Sequence, residues 1–404
     1  MNLTDLAVSA RSREFPASPI RKLTPLADAA KRRGTKVYHL NIGQPDIETP
    51  RVMIDRLKQL NERVLEYSPS TGTPEYLQSL QHYYERLGIR LERDQILATT
   101  GGSEAILFAL MVCADAGDDV LVVEPFYANY RAFAAMANIN IVAVTSRGRD
   151  GFHLPERHVW ERALTARTRV VMICNPNNPT GTVYRPEELE MVAAFCRDHG
   201  LFLISDEVYR EFVYDGGRAM SALELRDCQE FVVVVDSLSK RYSACGIRLG
   251  SLATRNREIY DACLRLAQGR LSPPGLAQFM AVGANELNDD YRSAVIAEYQ
   301  HRRDVLFDGL TSIPGVFLQK PEGAFYCVAR LPVDDAEKFA AWLLTDFDDK
   351  GETVMVAPAN GFYMSPLGRT EVRIAYVLNE QDLRRAVELL RIAIPRYNAA
   401  CATG

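Results

Sequence analysis

Between about Asp118 and Thr254 the chain alternates short runs rich in Val, Ile and Leu with longer stretches of helical spacing, and this alternation constrains the fold more than any other feature. The runs LVVE, IVAV, RVVMIC, LFLIS and FVVVVD are short and almost continuously apolar, as strands buried on both faces are. Between them lie segments such as PEELEMVAAFCRDHG. There Leu189, Val192, Ala193, Phe195 and Cys196 recur near helical spacing, and Gly200 suits a helix C-terminus. Strands alternating with helices predict an α/β domain built on a doubly wound, mostly parallel sheet.

The 404 residues allow two domains. RLSPPGL, around Arg270 to Gly275, breaks regular structure and reads as a boundary or a bridging turn. The remainder of the chain, C-terminal to this break, reads as α+β. It closes on an amphipathic helix from Asn379 to Pro395, capped by Asn379, with Leu383, Ala386, Val387, Leu390 and Ile394 inward. A net charge of -5 gives no general attraction to nucleic acid or anionic lipid, so any anion must be captured by local groups. The eight cysteines contain no C-x-x-C pair, and Cys245 is assigned to packing. The six histidines lack the spacing of metal ligands. The opening MNLTDLAVSARSREF lacks the pattern of a secretory leader, and no run is long enough to span a bilayer. The expectation is a reduced, cytoplasmic protein with no metal, membrane or nucleic-acid partner.

The chemistry collects where strands end. NPNNPTG follows RVVMIC, SDEVY follows LFLI, and SLSK follows FVVVVD. In an open parallel sheet the carboxyl ends of the strands line one crevice, so these motifs converge in space. TTGGSEAILFAL places Gly101 and Gly102 before an apolar helix starting near Ser103. Free N–H groups at such a terminus cradle a phosphate, although the same turn also serves as plain capping. Lys240 follows a buried strand beside Arg241 and Arg248, a setting that favours a neutral, nucleophilic amine; a lone lysine there is otherwise a surface residue. Ser237, Ser239 and the planar fork of Arg248 can hold a phosphate next to that amine, and a phosphate beside an imine-forming lysine suggests pyridoxal phosphate. Asp206 can keep a pyridine nitrogen protonated and Tyr209 can donate to a ring oxygen; alternatively Asp206 caps a helix and Tyr209 packs.

Taken in order, Tyr67 in YSPSTGTPEY, TGGSEA, PFY, NPNNPTG, SDEVY, SLSKRYSACGIRLG and VRIA resemble the fold type I pyridoxal phosphate enzymes of the class I and II aminotransferase family, from Asn41 to Val377. The resemblance implies a large cofactor-binding domain over 46–280 and a small domain from 1–45 with 281–404. It implies that Lys240 carries the cofactor as an imine and shuttles the proton, that Asp206 pairs the pyridine nitrogen, and that Tyr209 and Asn178 meet the ring oxygen. Tyr127 would stack on the ring. Gly102, Ser103, Ser237, Ser239 and Arg248 would surround the phosphate, joined by Tyr67 of a second copy in a homodimer. Arg373 would take the substrate α-carboxylate, with Gly43 beside it; from its residues alone Arg373 reads as a strand-edge surface arginine.

The closest resemblance is to bacterial aspartate aminotransferases, which implies transfer between aspartate and 2-oxoglutarate. A lysine that serves such enzymes is replaced here by Ser103. Arg270, in a region from which related enzymes send an arginine across the dimer interface, is the candidate for a second cation that reads the substrate side chain. Two alternatives stay open: a lyase, cyclase or synthase on the same fold, and a non-catalytic regulator with an aminotransferase-like domain.

Overall fold

The computed structural model describes residues 7–9, 12–13, 15–16 and 18–402; residues 1–6, part of the stretch searched above for a leader, lie outside them. A seven-stranded sheet forms the centre: β1 (Ile96–Thr99), β2 (Asp119–Glu124), β3 (Asn140–Thr145), β4 (Thr168–Cys174), β5 (Phe202–Asp206), β6 (Val232–Ser237) and β7 (Gly250–Ala253). Its order is β1-β7-β6-β5-β4-β2-β3. Neighbours from β6 through β3 run parallel, whereas β7 is antiparallel to both β1 and β6. The five apolar runs are strands as expected. The sheet gains β1 and β7, each only four residues long, and β7 is rich in Gly, Ser and Ala as well.

The apolar runs are continuous because helices cover both faces. In β4, Val170, Met172 and Cys174 join one core and Val171 and Ile173 the other. In β6, Val233 and Val235 divide from Val232 and Val234 in the same way. Side chains of a strand alternate in direction, so a sheet packed on both sides needs apolar residues at every position. Each such valine or isoleucine contributes roughly 1.5–3 kcal/mol on burial.

The helix Pro186–His199 buries the five residues assigned to its inner face and ends at Gly200 with φ 64. The helix Arg257–Arg270 stops before the predicted break, and a second helix begins at Gly275. The last helix, Glu380–Ala402, buries all five expected residues, and the Asn379 side chain accepts from the Asp382 N–H. It runs on through Pro395, where the sequence suggested an end. A proline inside a helix gives up one backbone hydrogen bond, and burial of Ala393, Ile394 and Tyr397 against the core offsets that loss.

Beside the large sheet, Lys36–His39 pairs in parallel with Glu352–Met355. A four-stranded antiparallel sheet joins Ala357–Pro358, Glu371–Ala375, Tyr326–Arg330 and Phe317–Leu318 in that order. Arg373 therefore sits on an interior strand, opposite Val328 on one side and Ala357 on the other. Among the described residues, no helix is long and apolar enough to cross a membrane.

Candidate active site

A cavity of about 490 Å³ opens where β4, β5 and β6 end, lined by Cys174, Asp206 and Ser237 at those ends. All the candidate residues except Tyr67 and Arg270 line it. The convergence expected from three separate motifs is the convergence found.

One end of the cavity is built to take an anion. Gly101 opens the helix Gly101–Cys113 with φ +74, and a Cβ there would lie 2.6 Å from Arg248 Nη2. The glycine thus lets the guanidinium close on the helix terminus. Arg248 itself adopts φ 53 and donates to the Cys245 carbonyl at 3.1 Å and the Ser239 hydroxyl at 3.4 Å. Ser237 caps the short turn Leu238–Arg241, accepting from the Ser239 N–H at 3.2 Å while its hydroxyl donates to Ser239 Oγ at 2.9 Å. Two hydroxyls, a guanidinium and a helix N-terminus converge here.

Lys240 Nζ donates to the Gly43 carbonyl at 2.7 Å and lies 3.8 Å from Cys245 Sγ. Gly43 cannot be larger, since a Cβ would overlap the Tyr326 hydroxyl. That hydroxyl lies 3.0 Å from the Tyr209 hydroxyl, which also accepts from Asn178 Nδ2 at 3.4 Å. Burial pushes the Tyr209 phenol well above its ordinary range, so it stays a hydroxyl donor.

Two buried charges define the rest of the site. Asp206 is 4% exposed and has no ion-pair partner among the described residues; it accepts from the Tyr130 hydroxyl at 2.6 Å and the Val208 N–H at 3.3 Å. Burial raises its carboxyl to about 6, against the pull of the Tyr130 hydrogen bond. Arg373 is 2% exposed and faces no carboxylate among the described residues. It donates to the Asn41 carbonyl at 2.5 Å and Asn178 Oδ1 at 3.2 Å, while its Nε has no acceptor among the described residues. Burial lowers its affinity for the proton, and the groups acting against that are the phenols of Tyr326, Tyr209 and Tyr127. A buried carboxylate lacking a cation and a buried guanidinium lacking an anion line one cavity without pairing to each other. Such charges are costly unless a ligand supplies what is missing.

The family decides the reading of this geometry. The model for class I and II aminotransferases matches residues 35–390. The chain belongs to that family. It is 28% identical over 407 residues to the aspartate aminotransferase of Bacillus subtilis, with 98% of this chain and 97% of the relative covered. It is 30% identical to the aspartate/prephenate aminotransferase of Thermus thermophilus over 89% of this chain and 91% of the relative. Among solved structures, the Thermus thermophilus aspartate aminotransferase with maleate is similar at a TM-score of 0.87 and 28% identity, covering 96% of this chain and 100% of that one. The chain is thus a transaminase of fold type I, from a family whose members use pyridoxal phosphate and act on amino and 2-oxo acids.

The residues of this aminotransferase fit that cofactor. The anion cradle matches a phosphate, Asp206 lacks the cation a pyridinium nitrogen would provide, and Lys240 lies in the same cavity.

Two expected residues lie elsewhere. Tyr67 is 80% exposed, away from the cavity of its own chain. Arg270, expected to reach across a dimer interface, meets Glu104 at 3.3 Å and donates to the Ala98 carbonyl at 3.1 Å, and it does not line the cavity of its own chain. Sequence reasoning missed Tyr130, Tyr326, Asn41 and Arg21. The first three act through tertiary hydrogen bonds to Asp206, Tyr209 and Arg373, for which the linear sequence has no signal. Arg21, in the ordinary-looking RKL, lines the cavity.

Proposed function

We propose that this transaminase binds pyridoxal phosphate on Lys240 and moves an amino group between aspartate and 2-oxoglutarate. The observation that carries the reading is the pair of unpartnered buried charges, Asp206 and Arg373, in the cavity that Lys240 enters. Gly102, Ser103, Ser237, Ser239 and Arg248 hold the phosphate, Asp206 keeps a proton on the nitrogen facing it, and Asn178 and Tyr209 donate to the ring oxygen. Tyr127 packs against the ring. Arg373 clamps the substrate α-carboxylate bidentately, with Gly43 beneath it.

The bound cofactor supplies an electron sink for charge developing at the substrate α-carbon. With the cofactor held there, the freed Lys240 amine would take the proton from the substrate α-carbon and would deliver one to the cofactor carbon on the other side of the shared nitrogen. Arg373 fixes the α-carbon relative to Nζ, and the buried walls limit water around the transfer.

The aspartate assignment draws on relatives named as aspartate aminotransferases, at 28–30% identity. In this reading residues 46–280 form the cofactor-binding domain and 1–45 with 281–404 the small domain. A homodimer also belongs to it. Val64, Leu65 and Tyr67 are exposed at 68%, 63% and 80%, an apolar stretch that a second copy would cover while bringing Tyr67 to the neighbour's phosphate. The test adds single amino acids to the loaded enzyme and follows the cofactor spectrum. Conversion by aspartate and glutamate is expected; loss of spectral change with both, alongside reaction with another amino acid, would refute the substrate assignment.

A further inference from the structure

The described lining of the cavity carries four cations, Arg21, Lys240, Arg248 and Arg373, against one carboxylate, Asp206. Three of the cations have tasks in the reading above: amine exchange, phosphate and α-carboxylate. Arg21 has none, and its side chain makes no hydrogen bond or ion pair with the described residues, whereas the adjacent Lys22 is paired with Glu337. We propose that Arg21 reads the distal carboxylate of a dicarboxylic substrate, an inference that rests on the dicarboxylate reading of this site.

The turn that bears Arg21 is held in place. Its N–H bonds the Ser18 carbonyl at 3.2 Å, and the Ile20 side chain packs against the buried cluster of Ala128, Ala357, Ala359, Phe362 and Tyr363. Pro19 presses so closely on Gly361 that a Cβ there would overlap it. Asn41 joins this turn to the α-carboxylate site: its Nδ2 donates to the Ile20 carbonyl at 3.4 Å, and its own carbonyl accepts from Arg373. A single residue thereby ties the turn that bears Arg21 to Arg373, and both arginines line the cavity. That arrangement suits a short molecule with a carboxylate at each end, because each planar fork takes one. Arg270, the cation expected for this task, is spent on Glu104 and backbone carbonyls, and Ser103 is neutral. Arg21 is exposed, so its attraction is tempered by water, and the expected effect is that of one charge-assisted contact.

The experiment compares the loaded wild-type enzyme with Arg21→Gln and Arg21→Lys. Calorimetry measures binding of two unreactive probes, succinate and propionate, and half-reactions are timed with aspartate and alanine. Arg21→Gln should weaken succinate by roughly 10- to 100-fold more than propionate and cut kcat/KM for aspartate by a similar excess over alanine, mainly through KM. Arg21→Lys should recover part of both. A wild-type preference for succinate and aspartate that survives in Arg21→Gln would overturn the role of Arg21 and leave the dicarboxylate reading standing. A wild-type enzyme that prefers neither would overturn both.

Discussion

Asp206, Tyr209 and Lys240 line the cavity, while Glu207, Arg210 and Arg241, each the next residue along the chain, belong to a charged cluster outside its lining. In the cluster every charge is answered from within. Glu207 holds Arg210 at 2.5 Å and accepts from Ser205, Ser221 and the Ala222 N–H. Arg241 pairs with Asp236 and lies 3.6 Å over the Tyr83 ring, and Arg210 donates to the Tyr83 hydroxyl at 3.0 Å. Burial lowers the proton affinity of Arg210, but Glu207, the Tyr83 and Tyr84 phenols and Asp236 together outweigh it and hold the guanidinium charged well beyond its ordinary range. Arg373, equally buried, has only tyrosines to oppose the same loss. Charge satisfied internally builds the fold, and charge left unsatisfied marks where a ligand belongs.

The contrast breaks if mutations on the two sides behave alike. Lys240→Ala should lower turnover by more than roughly four orders of magnitude, with a melting midpoint within a few degrees of the parent; steady-state assay and thermal unfolding check both. Arg241→Ala, one residue on, should instead cost about 3–5 kcal/mol of stability in denaturant unfolding, because Asp236 is left buried with Arg210 3.9 Å away. An unchanged unfolding midpoint in Arg241→Ala would erase the distinction between the regions.

Asp206→Asn sharpens it. The folded carboxyl lies near 6, above the ordinary 3.8, so ionising it penalises the folded state. That penalty is absent below about pH 4, grows as pH rises, and is complete above about pH 6, at about 3 kcal/mol. Cofactor-free Asp206→Asn should therefore be more stable than the parent at neutral pH and should lose less stability between pH 4 and 7, while turning over roughly 100-fold more slowly once loaded. Unfolding of both proteins across that pH range reads the sign. The smallest effect is expected at Arg270→Ala: about 1 kcal/mol of stability from the partly buried Glu104 pair, with the KM for aspartate within roughly twofold of the parent. A large rise in that KM would return Arg270 to the substrate.

The same contrast explains what was legible in the sequence. Continuous apolar runs announced five strands because both faces of the sheet are covered, and polar motifs after three of them announced the crevice. SDEVYR and SKRY, however, do not say which of two adjacent charged residues faces the ligand, since that depends in part on partners far along the chain such as Tyr83. Arg373 read as a surface residue because VRIA does not reveal that strands flank it on both sides. Arg21 was silent because its meaning comes from Asn41 and from cations already occupied elsewhere.

The central claim, that this cavity holds the cofactor on Lys240, is tested most directly by incubating the purified protein with pyridoxal phosphate, reducing with borohydride and mapping the modified peptide by mass spectrometry. The account predicts a single pyridoxyl label on Lys240, absent from Lys240→Ala; a label on another lysine, or an equal label in that variant, would contradict it.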